Sequence, residues 1–382
     1  MPVSERDLTV DRELAEIAGL LPLLGLITPT NVPEARKAFF AGEPPVFVYR
    51  DLPDLDAISS RLDRIDPTTP DDATVSHLAE GLKKELKLRL ELLRNRDTDQ
   101  AFFVAVELFG HVEDKTLALA EQILHRSPPP RPSEPTVNAE MFAALAGAEV
   151  EGYRHVYPEL SARVILTDSR PGIMVEAGDI YVPFAARVGE TAIPALLAHE
   201  IGTHVLTFAN GRCQPLHMLS LGLAGYDELQ EALGVLAEHL AGGLAFARLR
   251  TLASRVLVAQ RRAIGMNFRE AHDELLGLGF RRGEAFTTVM RAYRAGGNTK
   301  DAIYLRGLVR LVEHVQSGVD LISLYVGKIS FEAIPLIAEL SSRGILDAAP
   351  LRPRFLDDVD AQRRLKEVVE GKGVLDMGDR AA

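Results

Sequence analysis

The segment His199-Glu200-Ile201-Gly202-Thr203-His204 constrains this chain more than any other, because it asks one helix to aim two histidines at one point. The apolar run Ala192-Ile193-Pro194-Ala195-Leu196-Leu197-Ala198 leads into it and reads as the buried first turns of that helix. Two imidazoles flanking a carboxylate are a donor set suited to zinc, with the carboxylate placed to take a proton from water. The usual pattern spaces the histidines four apart, on one helix face. Here they are five apart, which leaves the side chains about 140° apart around an ideal axis. One metal, about 2 Å from each ring nitrogen, does not easily bridge that gap. A turn bonded i to i+5 brings both rings to one side, and Gly202, without a Cβ, eases it. The spacing therefore predicts a π-bulge between His199 and His204. Without a metal, the same triplet is a helix carrying one buried and one exposed histidine.

A zinc site needs a third donor from another segment. Downstream, Leu229, Leu233, Leu236 and Leu240 mark the apolar stripe of a helix over 226–240. Glu228, Glu231, Glu238 and His239 are its candidate ligands, and the turn-rich stretch 210–222 lets it fold back on the first helix. The residues alone leave that choice open.

A wider pattern resembles one known family. His199 to His204 is followed by Asn210-Gly211-Arg212, Gln214-Pro215, and then Gly222-Leu223-Ala224-Gly225-Tyr226-Asp227-Glu228-Leu229-Gln230-Glu231. This is similar to the family whose bacterial members are named for a Gln-Glu-Gly-Leu-Ala motif and whose animal members are the microtubule-associated tyrosine carboxypeptidases. The resemblance runs from about residue 138 to about 320. It implies one Zn2+ per chain on His199, His204 and Glu231, with Glu200 as general base. One departure is plain: the motif here reads Gln230-Glu231-Ala232-Leu233-Gly234, with Gly and Ala exchanged. The exchange keeps the ligand and alters packing.

A second block, 291–307, also resembles a motif of that family. Physically it is a basic helix end, the glycine turn Gly296-Gly297, and a new helix capped near Asn298 or Thr299. A carboxypeptidase needs a cation for the terminal carboxylate and a donor for the oxyanion. Arg291, Arg294, Lys300 and Arg306, with Arg212, are candidates for the first role. Tyr304 and Tyr293 are candidates for the second. The bland reading of each arginine is a solvated surface residue.

Between 161 and 184, short extended runs (162–166, 173–175 and 179–183) are separated by turn-forming residues. They read as a small antiparallel sheet, with an edge to which an extended substrate can add. The first 126 residues read as helical: 13–21 stops at Pro22, 75–96 is a long amphipathic helix, and 102–125 is a second long helix pairing with it. The proline cluster beginning at Pro128 breaks any helix. The expected organisation is a helical region over 1–126, a proline-rich linker over 127–137, a metallopeptidase core over 138–320 and a helical C-terminal region over 321–382 packed on it. The expected fold class is α+β, predominantly helical, with a zincin-like catalytic core and the sheet ahead of the metal-binding helix.

Composition bounds the partners. A net charge of −11 and a pI near 5.5 argue against nucleic acid. The single cysteine, Cys213, forbids an internal disulfide and suits a reducing compartment. The start carries no basic-then-apolar signal and no run approaches a membrane span, so a cytoplasmic protein is expected. Together with the resemblance, these readings imply a zinc carboxypeptidase removing a C-terminal, aromatic residue (Tyr or Phe) from a peptide or protein. The competing readings are a non-catalytic metal-binding regulator and a zinc hydrolase acting on a non-peptide amide. Glu200 speaks against the first, since a binding protein has no need of a carboxylate that ligates nothing.

Overall fold

Ser4 opens the first helix with a reciprocal cap: its Oγ accepts from the Asp7 amide, and the Asp7 carboxylate accepts from the Ser4 amide. The computed structural model describes residues 3–126, 136–170 and 172–378. Within them the N-terminal region is helical: α1 Glu5–Leu20, α2 Leu23–Ile27, α3 Val32–Phe40, α4 Leu55–Arg64 and α5 Ala73–Arg94. The expected long helix over 102–125 is two helices, α6 Asp99–Phe109 and α7 Asp114–His125. Gly110, at φ 78°, takes a conformation that side-chain-bearing residues avoid, and turns the chain there. As a result α6 packs on α5, while α7 packs on a later helix, α13 (Phe246–Ala263).

One expectation about membranes needs amending. The stretch Glu5–Phe40 is long and apolar enough, by length and composition, to cross a bilayer. It is three helices rather than one, divided at Pro22 and at residues 28–31. Leu14, Ile17, Leu21 and Ile27 are fully buried, so much of its apolar character lies in the protein interior.

Most of the expected linker lies outside the described residues. Its last member, Val137, opens strand β1 (Val137–Asn138), which pairs antiparallel with β5 (Arg187–Val188). Helix α8 (Ala139–Arg154) follows, then β2 Val164–Thr167, β3 Met174–Glu176 and β4 Asp179–Pro183. The expectation of an antiparallel sheet is corrected here: the order is β2-β4-β3, with β3 antiparallel to β4 but β2 parallel to it. The cause is topological. Ala177 and Gly178, at φ 50° and 85°, make a two-residue hairpin of β3 and β4. That leaves β2 to pair on the far side of β4, pointing the same way. Strand β3 is an edge, and it packs against the histidine-bearing turn.

The histidine helix runs as α9 (Ile193–His199), a π-helical turn (Glu200–Val205) and α10 (Leu206–Arg212). After the short α11 (Met218–Leu221), α12 (Tyr226–Leu240) folds back on α9 and the π-turn. The stretch 210–222 is more helical than its composition suggests. Around α12 are α13 Phe246–Ala263, α14 Phe268–Gly277, α15 Arg282–Tyr293 and α16 Ile303–Gln316, and α16 lies along α12. Beyond residue 320 come α17 Ile334–Ser342 and α18 Val359–Val369, the latter packed on α12 and α16. Buried Asn210 ties this end to the histidine helix, donating to the carbonyls of Tyr325 at 2.7 Å and Leu351 at 2.9 Å. A single hydrophobic cluster extends from Val10 to Met377, so the α12 bundle is part of the same interior as both ends.

Candidate metal centre

The five-residue spacing is met by local structure. The π-turn spans Glu200–Val205, as the arithmetic of the helix requires if both rings are to converge. Such a turn frees a carbonyl from its helical donor, and the Thr203 hydroxyl donates to the Ala198 carbonyl at 3.1 Å. At Gly202, an added Cβ would stand 3.0 Å from the Phe355 ring, so a small residue is needed where the helix meets that aromatic.

His199, His204 and Glu231 come together with one ligating atom from each, all within 4.8 Å of one another. The Glu231 Oε2 lies 3.6 Å from His199 Nε2 and 3.9 Å from His204 Nε2, and the rings cross at 72°. The Nδ1 atoms face elsewhere. His199 Nδ1 is 2.8 Å from Glu238 Oε1, and His204 Nδ1 is 3.4 Å from Gln230 Oε1. With Nδ1–H donating, each Nε2 lone pair is left toward Glu231.

The other candidates on α12 are engaged differently. Glu228 accepts from Arg306 and Arg310. His239 turns its Nδ1 to the Met377 carbonyl at 3.1 Å. Glu238 supports a histidine instead of joining the donor cluster. The exchanged motif residues have a packing account: a Cβ at position 234 would lie 2.5 Å from His199 Cε1, so Gly234 makes room for that ring. Ala232 in turn faces Gly307 of α16, where an added Cβ would meet it at 3.2 Å.

Burial sets the electrostatics. It pushes the Glu200 carboxyl up to about 7, aided by the charges of Glu231 and Glu238 and opposed by His199. His204 is pushed down to about 4, again mainly by burial. Burial disfavours charge on His199 too, but its hydrogen bonds to Glu231 and Glu238 outweigh that and raise it. Both carboxylates are held low despite burial, Glu231 first by His199 and Glu238 first by Arg248.

The basic candidates separate. Lys300 bonds to Asp227 and lies over the Phe109 ring, and Arg306 is spent on Glu228 and on the Phe109 and His111 carbonyls. Tyr293 donates to the Met266 carbonyl at 2.6 Å. Arg212 is exposed at the end of α10, 6.0 Å from the Phe208 ring centre. Arg291 bonds to Asp301 through two nitrogens. Arg294, only 2% exposed, gives Nη1 to the Thr28 hydroxyl but leaves Nε and Nη2 without a partner among the described residues. Tyr304 starts α16 with the Arg255 guanidinium 4.9 Å over its ring, and burial raises its phenol, as does the charge of Glu231.

Sequence reasoning passed over Arg248, Arg255 and Lys328. The two arginines lie seven residues apart on α13, two helical turns along one face, and that repeat was the available signal. Arg255 Nε is buried without a partner among the described residues. The Lys328 ammonium lies 5.3 Å from the Phe208 ring centre and 5.7 Å from that of Tyr226, and burial pushes it down to about 8.

Fold and site define a class: a helix-dominated protein with a small mixed sheet, which gathers three metal-competent donors around a π-turn. More particularly, residues 37–372 match the family model described as microtubule-associated tyrosine carboxypeptidase, and the chain belongs to that family. The match is wider at both ends than the 138–320 on which the resemblance was drawn. Among relatives, microtubule-associated tyrosine carboxypeptidase 1 of Mus musculus is 27% identical over 198 residues, covering 49% of this chain and 41% of the relative. The Homo sapiens protein of that name is 28% identical over the same coverage. The aligned region thus spans less than half the length of these relatives. No solved structure matches.

Proposed function

We propose that this chain is a zinc-dependent carboxypeptidase that removes a C-terminal aromatic residue, Tyr or Phe, from a peptide or protein. The observation that carries the reading is the convergence of His199 Nε2, His204 Nε2 and a Glu231 oxygen, with both Nδ1 atoms engaged by other side chains. Two imidazoles and a carboxylate are the donor set of catalytic zinc sites that keep a position open. The donors present therefore fit the ion. Family membership supports the peptidase class and the C-terminal specificity. The relatives' name speaks of microtubules. For this chain we propose only the chemistry, a free C-terminus with an aromatic last residue.

When bound, zinc supplies a Lewis acid and a lowered pKa for water in its open position. The protein's own groups do the rest. Glu200, next to His199 in the chain and half-buried, takes the proton of the attacking water and returns it to the leaving amine. Tyr304 donates to the carbonyl oxygen as charge develops on it. Arg294 and Arg255, which hold unpartnered nitrogens, and Arg291 beside them receive the terminal carboxylate. The substrate extends along β3, the sheet edge that packs on the π-turn.

The test is direct. Purified protein should carry about one zinc per chain by elemental analysis, and the His204→Ala variant almost none. A peptide ending in Tyr should lose that residue, and its C-terminally amidated form should resist. Undiminished zinc in His204→Ala overturns the metal assignment. Equal cleavage of the amidated peptide overturns the carboxypeptidase reading.

A further inference from the structure

The two histidines are held by unlike partners. His199 and Glu238 are 6% and 5% exposed, and their Nδ1···Oε1 contact is 2.8 Å. Glu238 is itself gripped by Arg248, with Nε 3.0 Å from Oε2 and Nη2 3.0 Å from Oε1. The backbone of α12 at Gly234 closes on one side of the His199 ring. His204 has a weaker hold: its Nδ1 is 3.4 Å from Gln230 Oε1, an oxygen that already accepts from the Thr207 hydroxyl at 2.8 Å. One imidazole thus leans on a carboxylate, the other on a shared neutral amide.

We infer that Glu238, clamped by Arg248, is a positioning residue that fixes the ring and tautomer of His199, and that it contributes more to metal affinity than Gln230 does through His204. The inference rests on the metal reading above and concerns residues that touch neither substrate nor the donor cluster's open side. A carboxylate accepting from Nδ1–H fixes the proton there, turns the Nε2 lone pair outward and makes it a stronger donor. A buried carboxylate with one neutral partner is costly, and Arg248 offsets that cost with a bidentate bond. Gln230 orients His204 without adding charge, and its second acceptor duty to Thr207 loosens the hold. The three residues have distinct tasks: Arg248 holds Glu238, Glu238 holds His199, and Gln230 holds His204.

The experiment is metal titration of chelator-stripped full-length protein, read with a chromophoric competitor for Zn2+ and by the visible spectrum of Co2+. Glu238→Gln should weaken Zn2+ binding by ~10–100-fold and shift the Co2+ spectrum, as loss of an outer-shell carboxylate does. Arg248→Ala should weaken it in the same direction, and Arg248→Lys should recover part of the loss. Gln230→Ala should cost less than Glu238→Gln. Arg248, whose side chain is 29% exposed, serves as the milder route should Glu238→Gln fail to fold. Zn2+ affinity of Arg248→Ala or Glu238→Gln within threefold of the unmodified protein overturns the inference, as does a larger loss in Gln230→Ala. If the unmodified protein binds no Zn2+, or His199→Ala binds it equally well, the metal reading fails as well. Thermal unfolding of the stripped variants gives the control: affinity lost with apo stability unchanged is the expected result, and affinity lost only in proportion to apo stability overturns positioning.

Discussion

The two walls of the candidate site are built on opposite principles. On the wall made by α9, the π-turn and α12, both histidines are held by side chains: His199 has Glu238, Glu238 has Arg248, and His204 has Gln230. On the wall made by α13, α15 and the start of α16, Arg255, Arg291 and Arg294 lie together, and Arg291 is hydrogen-bonded to Asp301. Burial and mutual repulsion push Arg255 and Arg294 down to about 10. The first wall aims three donor atoms, within 4.8 Å of one another, at a cation-sized gap. The second holds an excess of positive charge, which suits an incoming anion. Such an arrangement lowers stability in return for binding, and strained electrostatics of this kind cluster at functional sites.

The comparison can be broken, most sharply at Glu200. Glu200→Gln keeps the shape of the first wall and removes the proposed base, so kcat should fall by ~10²–10⁴-fold while zinc content is unchanged. Turnover within a few-fold of the unmodified protein would remove Glu200 from the chemistry. On the second wall, Arg294→Met should lower kcat/KM for a free C-terminus by ~10–100-fold, the worth of a hydrogen bond to a charged group. Zinc content should not move. If it falls with activity, the walls are not separate in function. Gly234→Ala gains helix propensity but puts a methyl group 2.5 Å from His199 Cε1. Overpacking of this sort costs about 1–3 kcal/mol, so thermal unfolding should drop, and zinc affinity with it. An unchanged melting temperature would show that α12 yields more easily than its packing suggests.

The smallest effect concerns pH. The Lys328 pKa is pushed down to about 8 by burial, below that of an unfolded lysine. The folded state therefore loses its proton first, the unfolded chain binds more protons between those values, and stability rises as pH goes from about 8 to about 10.5. Lys328→Met should be at least as stable as the unmodified protein at pH 7 and should lack that rise. Parallel pH–stability curves for the two proteins would refute the assignment.

What was legible in the sequence follows the same division. The donors on α9 and the π-turn were legible because a helix converts spacing directly into angle, so five residues demanded the π-turn found at Glu200–Val205. Glu231 needed the family resemblance, since Glu228 and Glu238 occupy equally plausible positions and only tertiary pairing tells them apart. The basic residues were ambiguous for that reason: Lys300 and Arg294 look alike in a sequence, yet one meets Asp227 and the other keeps unpartnered nitrogens. The mixed sheet was missed because alternation reports which strands exist but not their spatial order. The break at Gly110 was readable from its residue type and was overridden by the apolar pattern on either side.

Helix α12 gives a rule about sequence length. It supplies the His204 support at 230, the proposed ligand at 231, clearance for a ring at 234 and the His199 support at 238. One residue added or removed between 230 and 238 would turn the later positions by about 100° against the earlier ones. No compensating substitution restores four directions at once. The connection at 213–225 carries none of these four directions, but it is held too: Leu216, Met218 and Leu219 are fully buried, and the His217 and Met218 amides donate to Asp11. Length variation among proteins that keep this chemistry should therefore be absent from the nine residues from Gln230 to Glu238.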